Sequence, residues 1–188
     1  MAAPAKKAAT YQDVLDAPAH LVAEIIGGEL RLSPRPGPLH QAAAGALSYQ
    51  LFGPFRFGRG GPGGWLFLEE PELHLEARER PIVPDLAGWK RERMAELPES
   101  AAIELPPDWV CEILSPRTEQ IDRTDKMPVY AGARVQHLWL VNPTLQLLEA
   151  HVLDGRDWRR TGAWRGDACA RIPPFDAIEL ELALLWSR

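Results

Sequence analysis

The chain has 188 residues, 46% of them hydrophobic and 25% charged, with a formal net charge of −5. That length suits one full core and not two, the composition excludes disorder, and no apolar run reaches the roughly 20 residues of a membrane-spanning helix. The acidic balance also argues against a surface coated in basic charge for gripping phosphates, although cations gather locally at Arg78 and Arg80, at Lys90, Arg91 and Arg93, and at Arg156, Arg159 and Arg160.

Residues 1–10 read as a flexible tail ahead of one domain at 11–188. The start, Met1 to Lys7, is charged with no apolar stretch behind it, unlike a secretory signal. Cys111 and Cys169 have no zinc-site spacing, so a cytoplasmic location with free thiols is expected. Tyr11 to Ala17 is predicted as a short helix, with Thr10 as N-cap and Pro18 behind it. Leu21 to Leu32 reads as a hairpin turning at Gly27-Gly28, and Ser33 to Pro38, with three prolines, as a loop. Leu39 to Leu51 is helical, with Leu39, Ala43, Leu47 and Leu51 on one stripe. Gly58 to Gly64 lacks the Lys-Ser/Thr ending of a phosphate-binding loop and reads as a connector.

Strands are expected at Trp65–Leu68, Leu73–Leu75, Ile82–Trp89 and Trp109–Leu114, with a charged, proline-punctuated excursion over 90–106. A helix should run from near Asp122 to Gly132. Pro128 requires it either to begin near Asp125 or to kink. His137–Asn142, Leu147–Leu153 and Trp158–Thr161 complete the strands, the last two joined at Asp154-Gly155, and the period of Ile178–Trp186 suits strand or helix. This order predicts an α/β (α+β) fold: a mixed central sheet flanked by helices, with an N-terminal hairpin and a C-terminal β meander.

Two acids interrupt apolar, strand-like runs. Glu112 lies between Cys111 and Ile113 and shares a strand face with Val110 and Leu114; Asp85 follows Pro84 between Val83 and Leu86. A carboxylate in such a place is costly unless a cation meets it. Two strand-borne carboxylates followed by a lysine are the minimal kit for a hard metal ion acting on a phosphodiester. Asp122, Lys126 and Tyr130, four residues apart, share a helix face that follows the Glu112 strand through a short loop. His20, His74, His137 and His151 have no metal-ligand spacing, and Ser115 lacks a Gly-x-Ser-x-Gly context. Trp109 and Trp139 are expected in the core, while Trp65, Trp89 and Trp158 are candidates for stacking on a base.

Val83-Pro84-Asp85-Leu86, Glu112 to Pro116, the Asp122/Lys126/Tyr130 triplet and His137 to Pro143 together resemble the Uma-type putative restriction endonuclease family, within the PD-(D/E)XK nuclease superfamily. Glu24 to Leu30 and His40-Gln41 belong to the resemblance, which spans about residues 11–155. It implies a restriction-endonuclease-like core with a four-stranded mixed sheet, and a Mg²⁺-dependent endonuclease acting on nucleic acid, DNA in particular. Asp85 and Glu112 would match the metal-binding acids, with the Ile113 carbonyl completing the shell of Mg²⁺ or Mn²⁺. Leu114 stands where the superfamily pattern has lysine, and Lys126 would supply that group from the next helix, orienting or deprotonating the attacking water. Glu24, His40, Asp122 and Tyr130 are candidate accessory residues. The acidic balance and the displaced lysine leave a second reading open, a catalytically silent nuclease-fold interaction or regulatory module, for instance a homodimer. Geometry separates the two: a Lys126 in solvent beside Asp122 favours the silent module, and one a few Å from both acids favours the enzyme.

Overall fold

A computed structural model describes residues 8–76 and 80–187. Helix α1 (Tyr11–Leu15) starts at Thr10, whose N–H and hydroxyl both donate to the Asp13 carboxylate, at 2.7 and 2.8 Å. Residues 1–7 of the expected tail, and Arg78, lie outside the described residues. Ala9 is no free tail residue, because its N–H donates to the Gly28 carbonyl at 2.9 Å. Strands β1 (Leu21–Ile26) and β2 (Glu29–Pro34) form the expected hairpin as a sheet of their own. Gly27 and Gly28 take φ of 59° and 80°, the left-handed pair that a two-residue hairpin turn requires.

Helix α2 (Pro38–Leu51) carries proline in its first turn and runs into a π-helical turn at Phe52–Arg56. It buries Ala43, Leu47 and Leu51, while Leu39 stays 40% exposed at the helix entrance. After the glycine-rich connector come β3 (Trp65–Glu69), β4 (Leu86–Lys90) and β5 (Trp109–Ile113). The connection from β5 holds α3 (Glu119–Ile121), a π-helical turn (Asp122–Lys126) and α4 (Met127–Gly132), and then come β6 (His137–Asn142), β7 (Leu147–Asp154) and β8 (Asp157–Arg165). The sheet order is β3-β4-β5-β6-β7-β8, with β5 and β6 parallel and the other neighbours antiparallel. The expected mixed sheet is therefore present with six strands where the resemblance implied four. The helical segment supplies the crossover that a parallel pair needs.

Several boundaries differ from expectation for local reasons. The strand expected from Ile82 begins only at Leu86, because Pro84 has no N–H for a ladder. Leu73–Leu75 is reduced to single bridges from Leu73 to Ile82 and Ile103. The helix expected from Asp122 starts three residues earlier, where the Ser115 carbonyl accepts the N–H groups of Thr118 and Glu119 at 3.1 and 2.9 Å. The ambiguous C-terminal stretch is both things: β10 (Leu180–Glu181), paired with β9 (Cys169–Ala170), then a 3₁₀ turn over Leu182–Trp186.

Alternation along β5 feeds two cores. Trp109, Cys111 and Ile113 face α2, Trp139, Phe175 and the C-terminal turn; Val110 and Leu114 face Trp89, Tyr130 and Leu138. Glu112 points to the second side, beneath α4. No helix of the described residues is long and apolar enough to cross a membrane.

Candidate active site

The β4–β5 register pairs Leu86 with Cys111, so the next step outward sets Asp85 opposite Glu112. Asp85 leaves the ladder there and uses its side chain instead. Its Oδ2 accepts the Ile113 N–H at 2.6 Å, and its Oδ1 lies 2.8 Å from His40 Nε2 in the first turn of α2. Glu112 is 1% exposed; the Tyr130 hydroxyl donates to its Oε1 at 2.5 Å, and Lys126 Nζ stands 3.4 Å from each of its oxygens.

The π-helical turn aims Lys126. A regular helix would drive the Pro128 ring into the carbonyl four residues back; here the Met127 N–H reaches the Asp122 carbonyl, and the widened turn relieves that clash. Asp122, Lys126 and Tyr130 stay on the face turned to β5. Lys126 Nζ donates to the Val83 carbonyl at 2.9 Å and meets Glu24 Oε1 at 3.0 Å and Asp122 Oδ1 at 3.8 Å. Glu24 arrives from β1, and its Oε1 also accepts the Val83 N–H at 2.8 Å.

Three carboxylates, from Glu24, Glu112 and Asp122, thus meet one ammonium, and the charge of Asp85 acts on it from further off. Burial is the main force raising the Glu112 carboxyl well above its usual range; the Asp122 and Asp85 charges add to it, while Lys126 and the Tyr130 hydrogen bond oppose it. Burial likewise pushes Asp122 up to about 6, against the pull of Lys126. For Lys126, burial acts downward, but the charges of Glu112, Glu24 and Asp122 outweigh it and hold the ammonium protonated well above its ordinary value. Burial and Glu112 together raise the Tyr130 phenol.

Glu24, Asp85, Glu112, Asp122 and Lys126 line a cavity of about 380 Å³ whose rim carries Arg35 and Arg117. Among the described residues no three His, Cys, Asp or Glu side chains converge into a ready-made metal cage. The donor set on offer is Asp85, Glu112 and neighbouring backbone carbonyl oxygen: hard donors with an excess of negative charge, which suits a divalent cation such as Mg²⁺.

The structure brings Asp85, Glu112, Lys126, Glu24, His40, Asp122 and Tyr130 to one place. Lys126 is 5% exposed, so its contact with Asp122 is buried and is not the solvent-facing pair that would favour the silent module. The surrounding acids hold it protonated, which favours orienting over deprotonating the water, the two roles expected of it. The Val83 backbone, which meets both Glu24 and Lys126, and the rim arginines escaped the sequence reading, because loop geometry brings them there. Trp89 is fully buried and Trp65 7% exposed, and the Trp158 N–H is bonded to the Met127 carbonyl. Trp65 and Trp89 are therefore core residues and offer no stacking surface; Trp109 and Trp139 are core as expected, both at 0%. The Ser115 hydroxyl lies 3.0 Å from that of Thr118, with no histidine base.

Residues 9–184 match the model of the Uma2 family, described as "Putative restriction endonuclease". No curated protein matches the chain. Among solved structures, a "putative nuclease belonging to DUF820" from Anabaena variabilis ATCC 29413 shares the fold, with a TM-score of 0.74 at 20% identity over 95% of this chain and 97% of that one.

Proposed function

The chain belongs to the Uma2 putative restriction endonuclease family, and from that premise we propose that it is a metal-dependent endonuclease that hydrolyses phosphodiester bonds in nucleic acid, DNA first. The observation that carries the reading is the Lys126 ammonium held among Glu24, Glu112 and Asp122, in the wall of the cavity that Asp85 and His40 also line. Asp85 and Glu112 would hold Mg²⁺, or Mn²⁺, with the Ile113 carbonyl. The ion supplies Lewis-acid polarisation of the phosphate and a more acidic bound water.

The remaining groups have roles set by their contacts. His40 and the Ile113 N–H fix the two oxygens of Asp85, and Tyr130 fixes Glu112. Lys126, held cationic, orients water and meets negative charge developing on the phosphoryl oxygens. Its contacts to Glu112, at 3.4 Å, and Asp122, at 3.8 Å, are longer than those to Val83 and Glu24. Asp122, whose carboxyl burial pushes up to about 6, lines the same cavity and serves as the base. The free cysteines suit the cytoplasm.

Purified protein, incubated with Mg²⁺ or Mn²⁺, should cleave plasmid or single-stranded DNA. Asp85→Asn and Glu112→Gln should each lower the rate on the order of 10²-fold or more. The net charge of −5 favours the second reading, the silent module. Wild type that cleaves nothing across metals and substrates, and sediments as a dimer, would establish it.

A further inference from the structure

The glycine-rich connector presents an aromatic ring between cations. Residues 56–64 read Arg-Phe-Gly-Arg-Gly-Gly-Pro-Gly-Gly. Phe57 is 62% exposed, and the guanidinium carbons of Arg56 and Arg59 lie 5.5 and 6.0 Å from its ring centre. The loop is a fixed platform. The Arg59 N–H donates to the Gly53 carbonyl and the Gly63 N–H to the Pro54 carbonyl, both at 2.9 Å. Gly61 sits so close to Pro54 that a Cβ there would come within 2.5 Å of it.

A further bond, from the Arg91 N–H to the Gly64 carbonyl at 2.9 Å, sets Lys90 and Arg91 beside the loop. Arg93 is tied to Asp108 at 2.8 Å and Arg160 to Glu149 at 3.1 Å. The exposed side chains of Arg59, Lys90 and Arg91, by contrast, make no ion pair among the described residues. In an acidic chain this sets three cations without ion pairs near an exposed ring, although Glu92 and the Asp108 carboxylate, which accepts the Lys90 N–H at 2.8 Å, lie alongside.

We infer that this loop, with Lys90 and Arg91, is a second nucleic-acid site that takes single strands: an unstacked base lies on Phe57, and Arg59, Lys90 and Arg91 meet the phosphates. Strand β4 leads from Asp85 to Lys90, about 17 Å at roughly 3.3 Å per residue. Binding here needs neither metal nor cleavage, so it stands apart from the endonuclease reading.

The test is fluorescence anisotropy of a labelled oligothymidylate with full-length protein in EDTA, over a range of salt. Phe57→Ala should weaken binding about tenfold, since stacking on one aromatic carries an effect of that order. Arg59→Ala should reduce the slope of log affinity against log salt by about 0.7. The same oligonucleotide annealed to its complement should bind less well, because its bases are already stacked. Arg156→Ala/Arg159→Ala, which removes charge at the far hairpin, should leave binding unchanged. Phe57 is exposed, so its variant should keep the wild-type melting temperature. The inference is overturned if wild type does not bind, if Phe57→Ala and Arg59→Ala bind as wild type does, if duplex binds equally well, or if the far-hairpin variant weakens binding as much.

Discussion

Replacing Lys126 with alanine would leave Glu24, Glu112 and Asp122, exposed by only 3%, 1% and 4%, without their shared cation. Breaking a buried pair in this way costs on the order of 3–5 kcal/mol, so Lys126→Ala should lower the urea midpoint markedly. At a temperature where the variant stays folded, cleavage should fall on the order of 10²-fold or more; a folded variant that cleaves at the wild-type rate would remove Lys126 from the mechanism. Asp122 offers a second reading of the same cluster. Its carboxyl binds a proton more tightly in the folded chain, at about 6 against an ordinary 3.8. Its contribution to stability is therefore complete below pH 3.8 and is lost as pH rises through about 6. In EDTA, the stability of wild type minus that of Asp122→Asn should fall by about 2.4 kcal/mol between pH 4 and 7; a difference constant with pH would show that the carboxyl is not raised. Residue by residue, the cluster was only partly legible in the sequence. Glu112 stands out as an acid inside an apolar run, and Glu24 carries the same signal between Ala23 and Ile25. What spacing cannot encode is that both face one lysine, or that the partner of His40 is Asp85. A backbone group such as the Val83 carbonyl leaves no trace in the residue pattern.

The segment from Glu119 to Gly132 converts a local irregularity into a placement. Pro128 announces a disturbance in the sequence, but its resolution depends on what packs there: Tyr130 under β5, and the Trp158 N–H on the Met127 carbonyl at 2.8 Å. Pro128→Ala removes the ring that the wide turn accommodates. The helix should then become regular through 122–126, turn Lys126 away from Glu112 and reduce cleavage about tenfold or more, with the sheet unchanged. A crystal structure of the variant together with its rate would check this, and an unaltered π-helical turn would assign the geometry to packing instead. Elements with strong periodicity were legible: the hairpin, α2, and the strands at 109 and 137. The two-residue strands β9 and β10 are too short to show a period, and the extra length of β8 comes from pairing with β7, not from its own mixed, largely exposed composition.

For the molecule as a whole, the proposed cation at Asp85 and Glu112 would link folding to metal concentration. Mg²⁺ at about 100 times its dissociation constant should stabilise the native state by about 2.7 kcal/mol, seen as a rise in melting temperature. Asp85→Ala, compared with its own metal-free state, should show no rise, and an equal rise would place the ion elsewhere. The site is also assembled from the length of the chain: Glu24 from the separate hairpin, His40 from α2, Asp85 and Glu112 from the sheet, Lys126 and Tyr130 from the crossover. Contacts so far apart in sequence close late and slowly, after large loops have been ordered. A chain still emerging from the ribosome, with Glu24, His40 and Asp85 already made, holds acids but no lysine to gather them. On the proposed endonuclease reading, activity would therefore appear only once Lys126 and the strand β6 beside Glu112 have joined the sheet, and a half-made copy would leave the nucleic acid around it intact.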